Sequence, residues 1–64
     1  MPRKIRALIA ELKVAGFIDR GGKGSHRNFI HPKGVLLTLS GNPGSDAKPY
    51  QEKLVAKKIE VSRS

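Results

Sequence analysis

Ile5, Leu8, Ile9 and Leu12 recur at spacings of three and four, while Arg3, Lys4, Arg6, Glu11 and Lys13 occupy the other positions. That pattern predicts an amphipathic first helix. It stops at Gly16, the residue type suited to a left-handed helix end, with the small Ala15 before it. Phe17 and Ile18 open an extended segment, which the run Gly21-Gly22-Lys23-Gly24-Ser25 breaks into a turn. Arg27 to His31 reads as the returning strand of a hairpin, and Pro32-Lys33-Gly34 as the next turn. Val35-Leu36-Leu37-Thr38-Leu39 is the strongest strand, with Val35, Leu37 and Leu39 on one face by period two.

Gly41 to Asp46 is a loop by composition, with Ser45 or Asp46 placed to cap a second helix. Pro49 suits the first turn of that helix, which runs through Tyr50, Leu54 and Ala56 to about Ile59. The segment from Val61 to Ser64 carries no periodicity and is expected to fray. The expected fold class is α+β, in the order α-β-β-β-α. It comprises a three-stranded antiparallel sheet with two helices on one face, the order of a double-stranded-RNA-binding domain.

Sixty-four residues suffice for one small core, so residues 1–64 are expected to form a single domain. Thirteen Lys and Arg against five Asp and Glu give a net charge of +8 and a pI near 10.5, which changes the picture more than any other bulk property. Such a surface seeks a polyanion, and nucleic acid leads over anionic membrane or acidic protein. With no cysteine, a disulfide framework and a thiolate metal site are both excluded. No apolar run approaches the roughly 20 residues of a membrane span, and the basic start lacks the apolar stretch of a signal peptide. A cytoplasmic location without membrane association is the expectation.

One stretch is more specific than the topology. Gly16-Phe17, then Lys23-Gly24-Ser25-His26, then Phe29 and His31-Pro32 with Gly34 before a hydrophobic strand, resembles the HicA family of bacterial toxins. The Gly/Pro loop followed by Lys48-Pro49 at the start of a final helix is similar to that family as well. Where many members carry Pro-x-His after the third strand, this chain has Ser40-Gly41-Asn42-Pro43. The resemblance implies an mRNA-cleaving endoribonuclease toxin of a type II toxin–antitoxin pair, acting without metal or other cofactor. It also implies a HicB-type antitoxin partner, with the toxin monomeric when free and hetero-oligomeric with its antitoxin. The family's catalytic histidine falls on His26.

His26 follows a glycine-rich turn, where rigid backbone can present a side chain at the surface. An imidazole there suits removal of a proton from a ribose 2′-hydroxyl that attacks the adjacent phosphate. Lys23 and Arg27 flank it in sequence and are candidates to stabilise phosphorane charge. The candidate RNA contacts are Lys23, Ser25 and Arg27 at the turn, and Lys53, Lys57 and Lys58 on the last helix. A charged helix face is commonly just solvated, however. His31 stands at odd separation from His26, which argues against an acid–base pair or shared metal and for a packing role at the strand end. Ile30 and Leu36 have opposite parity to Phe29 and Leu37, and with Lys23 and His26 they form the candidate antitoxin interface. The competing readings are a non-catalytic double-stranded-RNA-binding module, in which His26 is idle, and a small basic ribosome-associated protein. Neither accounts for Gly24-Ser25-His26.

Overall fold

The first helix, α1 (Ile5–Val14), buries Ile5, Leu8 and Leu12 and ends in a tight reversal at Gly16, whose φ is +100°. The Gly16 N–H donates to the Lys13 carbonyl (3.1 Å) and the Phe17 N–H to the Leu12 carbonyl (2.9 Å). This is the double hydrogen bond of a Schellman cap. Phe17 is thereby turned into the core beside Leu12. A computed structural model describes residues 3–24 and 26–63, and continues with β1 (Ile18–Gly21), β2 (His26–Ile30), β3 (Leu36–Ser40) and α2 (Pro49–Ser62). The order is α-β-β-β-α, an α+β fold, as its sequence predicts.

The strands form one antiparallel sheet in the order β1-β2-β3. Phe29, Leu37 and Leu39 point from one face into a core closed by Ile5, Leu8, Leu12, Phe17, Ala47 and Val55. The helices cover that face, and the other lies open. β2 and β3 each sit one residue from where composition puts them. His31 belongs to the turn: its N–H donates to the Val35 carbonyl (2.9 Å), and its own carbonyl accepts from the Gly34 N–H (2.8 Å).

Two further expectations are corrected, the cap and the end of α2. Ser45 and Asp46 do not cap α2, whose N-cap is Lys48. Their loop instead caps α1, because the orphan N–H groups of Ile5 and Arg6 donate to the carbonyls of Ser45 (2.9 Å) and Pro43 (3.0 Å). Asp46 adds an ion pair to Lys4 at 2.7 Å. The buried face of α2 is Gln51, Val55 and Ser62, with Leu54 and Ile59 partly covered, whereas Tyr50 and Ala56 are exposed. The helix also runs on to Ser62, where a buried hydroxyl donates to the Ile59 carbonyl at 2.7 Å. Among the described residues no helix is long and apolar enough to cross a membrane.

Candidate active site

His26 is the first residue of β2 and is exposed. Its position is set from both sides. Before it, the His26 N–H donates to the Lys23 carbonyl (3.0 Å), closing a turn in which Gly24 has φ +60°. Gly22 packs against the His26 carbonyl so closely that a Cβ at Gly22 would collide with it. Across the sheet, His26 pairs with Ser40 at the end of β3.

Ser40 in turn is joined to α2. The buried Gln51 side chain donates from Nε2 to the Ser40 carbonyl (2.7 Å), and its Oε1 accepts the Lys48 N–H (2.9 Å). The Lys48 carbonyl accepts the Gln51 N–H at 2.9 Å, so one residue seals the helix start and fastens it to the strand. Where these elements meet, His26, Ser40, Asp46, Lys48, Tyr50 and Gln51 line a cleft of about 360 Å³. Lys48 and Tyr50 are both exposed at its wall.

Other candidates lie apart from this cleft. Lys23 is exposed in the turn beside His26, and Ser25 lies outside the described residues. Arg27 projects from the opposite face of β2, the parity it shares with Phe29. There its guanidinium donates to Asp19 Oδ2 at 3.1 Å, while Asp19 Oδ1 accepts the Gly21 N–H at 2.7 Å. Asp19 thus holds both Arg27 and the register shift that falls between Asp19 and Gly21. Lys53 and Lys57 share an exposed side of α2 with Glu60 and Val61 and do not line the His26 cleft, and Lys58 is half-buried off that line.

His31 fills the structural role its parity predicts. Its ring stands edge-on to Phe17 with centroids 5.0 Å apart. Nδ1 accepts the Lys33 N–H (3.1 Å), so Nε2 carries the proton donated to the Ala15 carbonyl (3.1 Å). Among the described residues, no three His, Asp or Glu side chains gather as metal ligands would.

The open face of the sheet is graded. Ile18 faces Ile30 and Ile30 faces Leu36, an aliphatic row across all three strands, with Ile18 54% and Leu36 61% exposed. The next row toward His26 is polar: Thr38 Oγ1 donates to Asn28 Oδ1 at 2.9 Å, and Arg20 lies alongside. Sequence reading missed Ile18, Arg20, Lys48, Tyr50 and Gln51 as members of these surfaces. Only Gln51 carried a local signal, a Gln placed three residues after a helix N-cap.

The family model described as HicA toxin of bacterial toxin-antitoxin matches residues 5–61. The chain belongs to the HicA toxin family. It is a toxin of a toxin–antitoxin system, and an antitoxin is its partner. The match spans α1, all three strands and α2 to Val61, and so includes the whole His26 cleft and the aliphatic row. No curated protein matches the chain significantly.

Proposed function

We propose that this HicA-family toxin is a metal-independent endoribonuclease that cleaves mRNA, with His26 as its general base. The observation that carries the reading is the placement of His26. Its exposed imidazole stands at the edge of a cleft, on a main chain fixed by a glycine turn on one side and by Ser40 and Gln51 on the other. A module that only grips phosphate has no need of a positioned titratable ring, whereas proton transfer does.

In the proposed reaction His26 takes the proton of a ribose 2′-hydroxyl as that oxygen bonds to the adjacent phosphorus. The bond from phosphorus to the 5′-oxygen breaks, leaving a 2′,3′-cyclic phosphate, and the departing oxygen takes a proton from water. Lys23, exposed on the same turn, and Lys48, at the cleft wall, are placed to offset charge on the phosphorane. Lys53 and Lys57 extend the cationic surface for RNA backbone. Ser25 remains a proposed RNA contact. Arg27 acts through Asp19 to hold the hairpin. A HicB-type antitoxin is the proposed partner, docking on the open face at Ile18, Ile30 and Leu36 and reaching Lys23 and His26.

The test compares wild type with His26→Ala on labelled RNA, with and without chelator. Wild type is expected to cleave in both conditions. The variant is expected to bind RNA with near wild-type affinity and to leave it intact. Undiminished cleavage by His26→Ala removes the base assignment, and loss of wild-type cleavage with chelator removes the metal-independent mechanism. RNA binding without cleavage by wild type leaves the non-catalytic double-stranded-RNA-binding module.

A further inference from the structure

Tyr50 is 59% exposed, whereas the chain's other aromatic rings, Phe17 and Phe29, are 3% and 1% exposed. Among the described residues, the Tyr50 side chain makes no hydrogen bond or ring contact. The core does not use it, and it lies at the wall of the His26 cleft.

Its position is nevertheless rigid. Pro49 fixes the backbone before it, and Gln51 after it is buried and bonded to the Ser40 carbonyl, whose residue pairs with His26. The main chains at Tyr50 and His26 are therefore held in one frame through Gln51 and Ser40. The exposed Lys48 stands at the same wall, and the one acid there, Asp46, is already paired with Lys4 at 2.7 Å. An exposed ring with a cation beside it, on a surface of net +8, matches the way single-stranded nucleic acid is gripped. A base in a duplex is stacked on its neighbours and does not offer its face to such a ring.

Resting on the nuclease reading above, we propose that Tyr50 is a base-stacking platform for single-stranded RNA. It takes an unstacked base next to the phosphate presented to His26, with Lys48 on the adjoining backbone. This would make the cleft selective for strand type with no hydrogen-bond code for sequence.

The chain has one tyrosine and no tryptophan, so its intrinsic emission reports Tyr50 alone. The probe is a single-stranded 2′-O-methyl RNA octamer, which lacks the attacking hydroxyl and survives the wild-type protein. Saturating octamer is expected to quench Tyr50 emission, and a 2′-O-methyl duplex of the same sequence to bind without quenching. Tyr50→Ala is expected to weaken octamer affinity about 5- to 150-fold, the range for replacing one base-stacking side chain by alanine, with Tyr50→Phe close to wild type. Because Tyr50 is exposed, the thermal midpoints of these variants should match wild type. Unchanged emission at saturation, or a Tyr50→Ala variant that binds as wild type does, overturns the inference. So does emission that responds to antitoxin but not to RNA, which would make the cleft a protein contact. Quenching by the octamer in a protein that cleaves no RNA upholds the stacking platform and removes the nuclease reading. Cleavage without quenching does the reverse.

Discussion

Gly22 lies against the main chain of His26 so tightly that no side chain fits between them, its absent Cβ falling on the His26 carbonyl. Gly22 has no left-handed φ, so its requirement is space and not backbone conformation. Gly22→Ala must therefore push the start of β2 away and carry the imidazole with it. A displacement of about 1 Å at a catalytic group costs on the order of a hundredfold in rate. The expected result is that loss in RNA cleavage, with RNA affinity far less affected. Gly44→Ala is the control, since Gly44 has open space around it and no positive φ, and it should leave rate and thermal midpoint unchanged. Equal rates for Gly22→Ala and wild type would show that His26 needs no such positioning.

The Asp19–Arg27 pair gives a second prediction. Arg27 is half-buried on the helix-covered face at 3.1 Å from Asp19, and Asp19 also holds the Gly21 N–H. Arg27→Ala is expected to lower stability in urea unfolding while leaving RNA affinity close to wild type. Asp19→Ala should cost more, because it also leaves the Gly21 N–H without its acceptor. The coupling between the two, from a double-mutant cycle, is expected at about 0.2–1 kcal/mol, as for partly exposed ion pairs. A large loss of RNA affinity in Arg27→Ala with unchanged stability would restore Arg27 as a phosphate contact.

Arg27 also illustrates how far the sequence can be read. The alternation that separates His31 from His26 applies equally to Arg27, one residue from His26 and on the opposite face. Neighbours in sequence are not neighbours in a site. The elements themselves were legible because each is a local pattern: the three-four spacing of Ile5, Leu8 and Leu12, the Gly21 to Ser25 break, and the aliphatic run before Ser40. His26 was legible through its glycine turn and the family resemblance. The rest depended on contacts between distant residues. Nothing local marks Ser45 and Pro43 as caps for a helix some forty residues earlier. Gln51 defeats a hydrophobicity pattern, being a buried polar residue satisfied by Lys48 and Ser40. The Ile18 contribution to the open face likewise appears only once the β1–β2 register is known, since the shift between Asp19 and Gly21 breaks simple counting.

That register leads to the last prediction, on the antitoxin. Ile18, Ile30 and Leu36 lie side by side across the sheet, and Leu36 is the most exposed of the three. Four residues along β2 separate Ile30 from His26, about 13 Å at strand rise. A partner anchored on the row therefore needs only a short extension to reach Lys23 and His26. A surface of net +8 would steer an acidic one toward it. An apolar centre with a charged approach gives a tight interface whose energy concentrates in a few central residues. Leu36→Asp is therefore expected to weaken antitoxin binding by at least about tenfold. The cleavage rate of the free toxin should stay near wild type, because Leu36 is remote from the cleft. Occlusion is tested separately by titrating antitoxin into a preformed complex of His26→Ala with RNA and measuring release of labelled RNA. Displacement is expected, with inhibition requiring no change in the toxin's shape. If both ligands bind together without mutual loss of affinity, the antitoxin acts elsewhere, and distortion of the hairpin that carries His26 becomes the mechanism to examine.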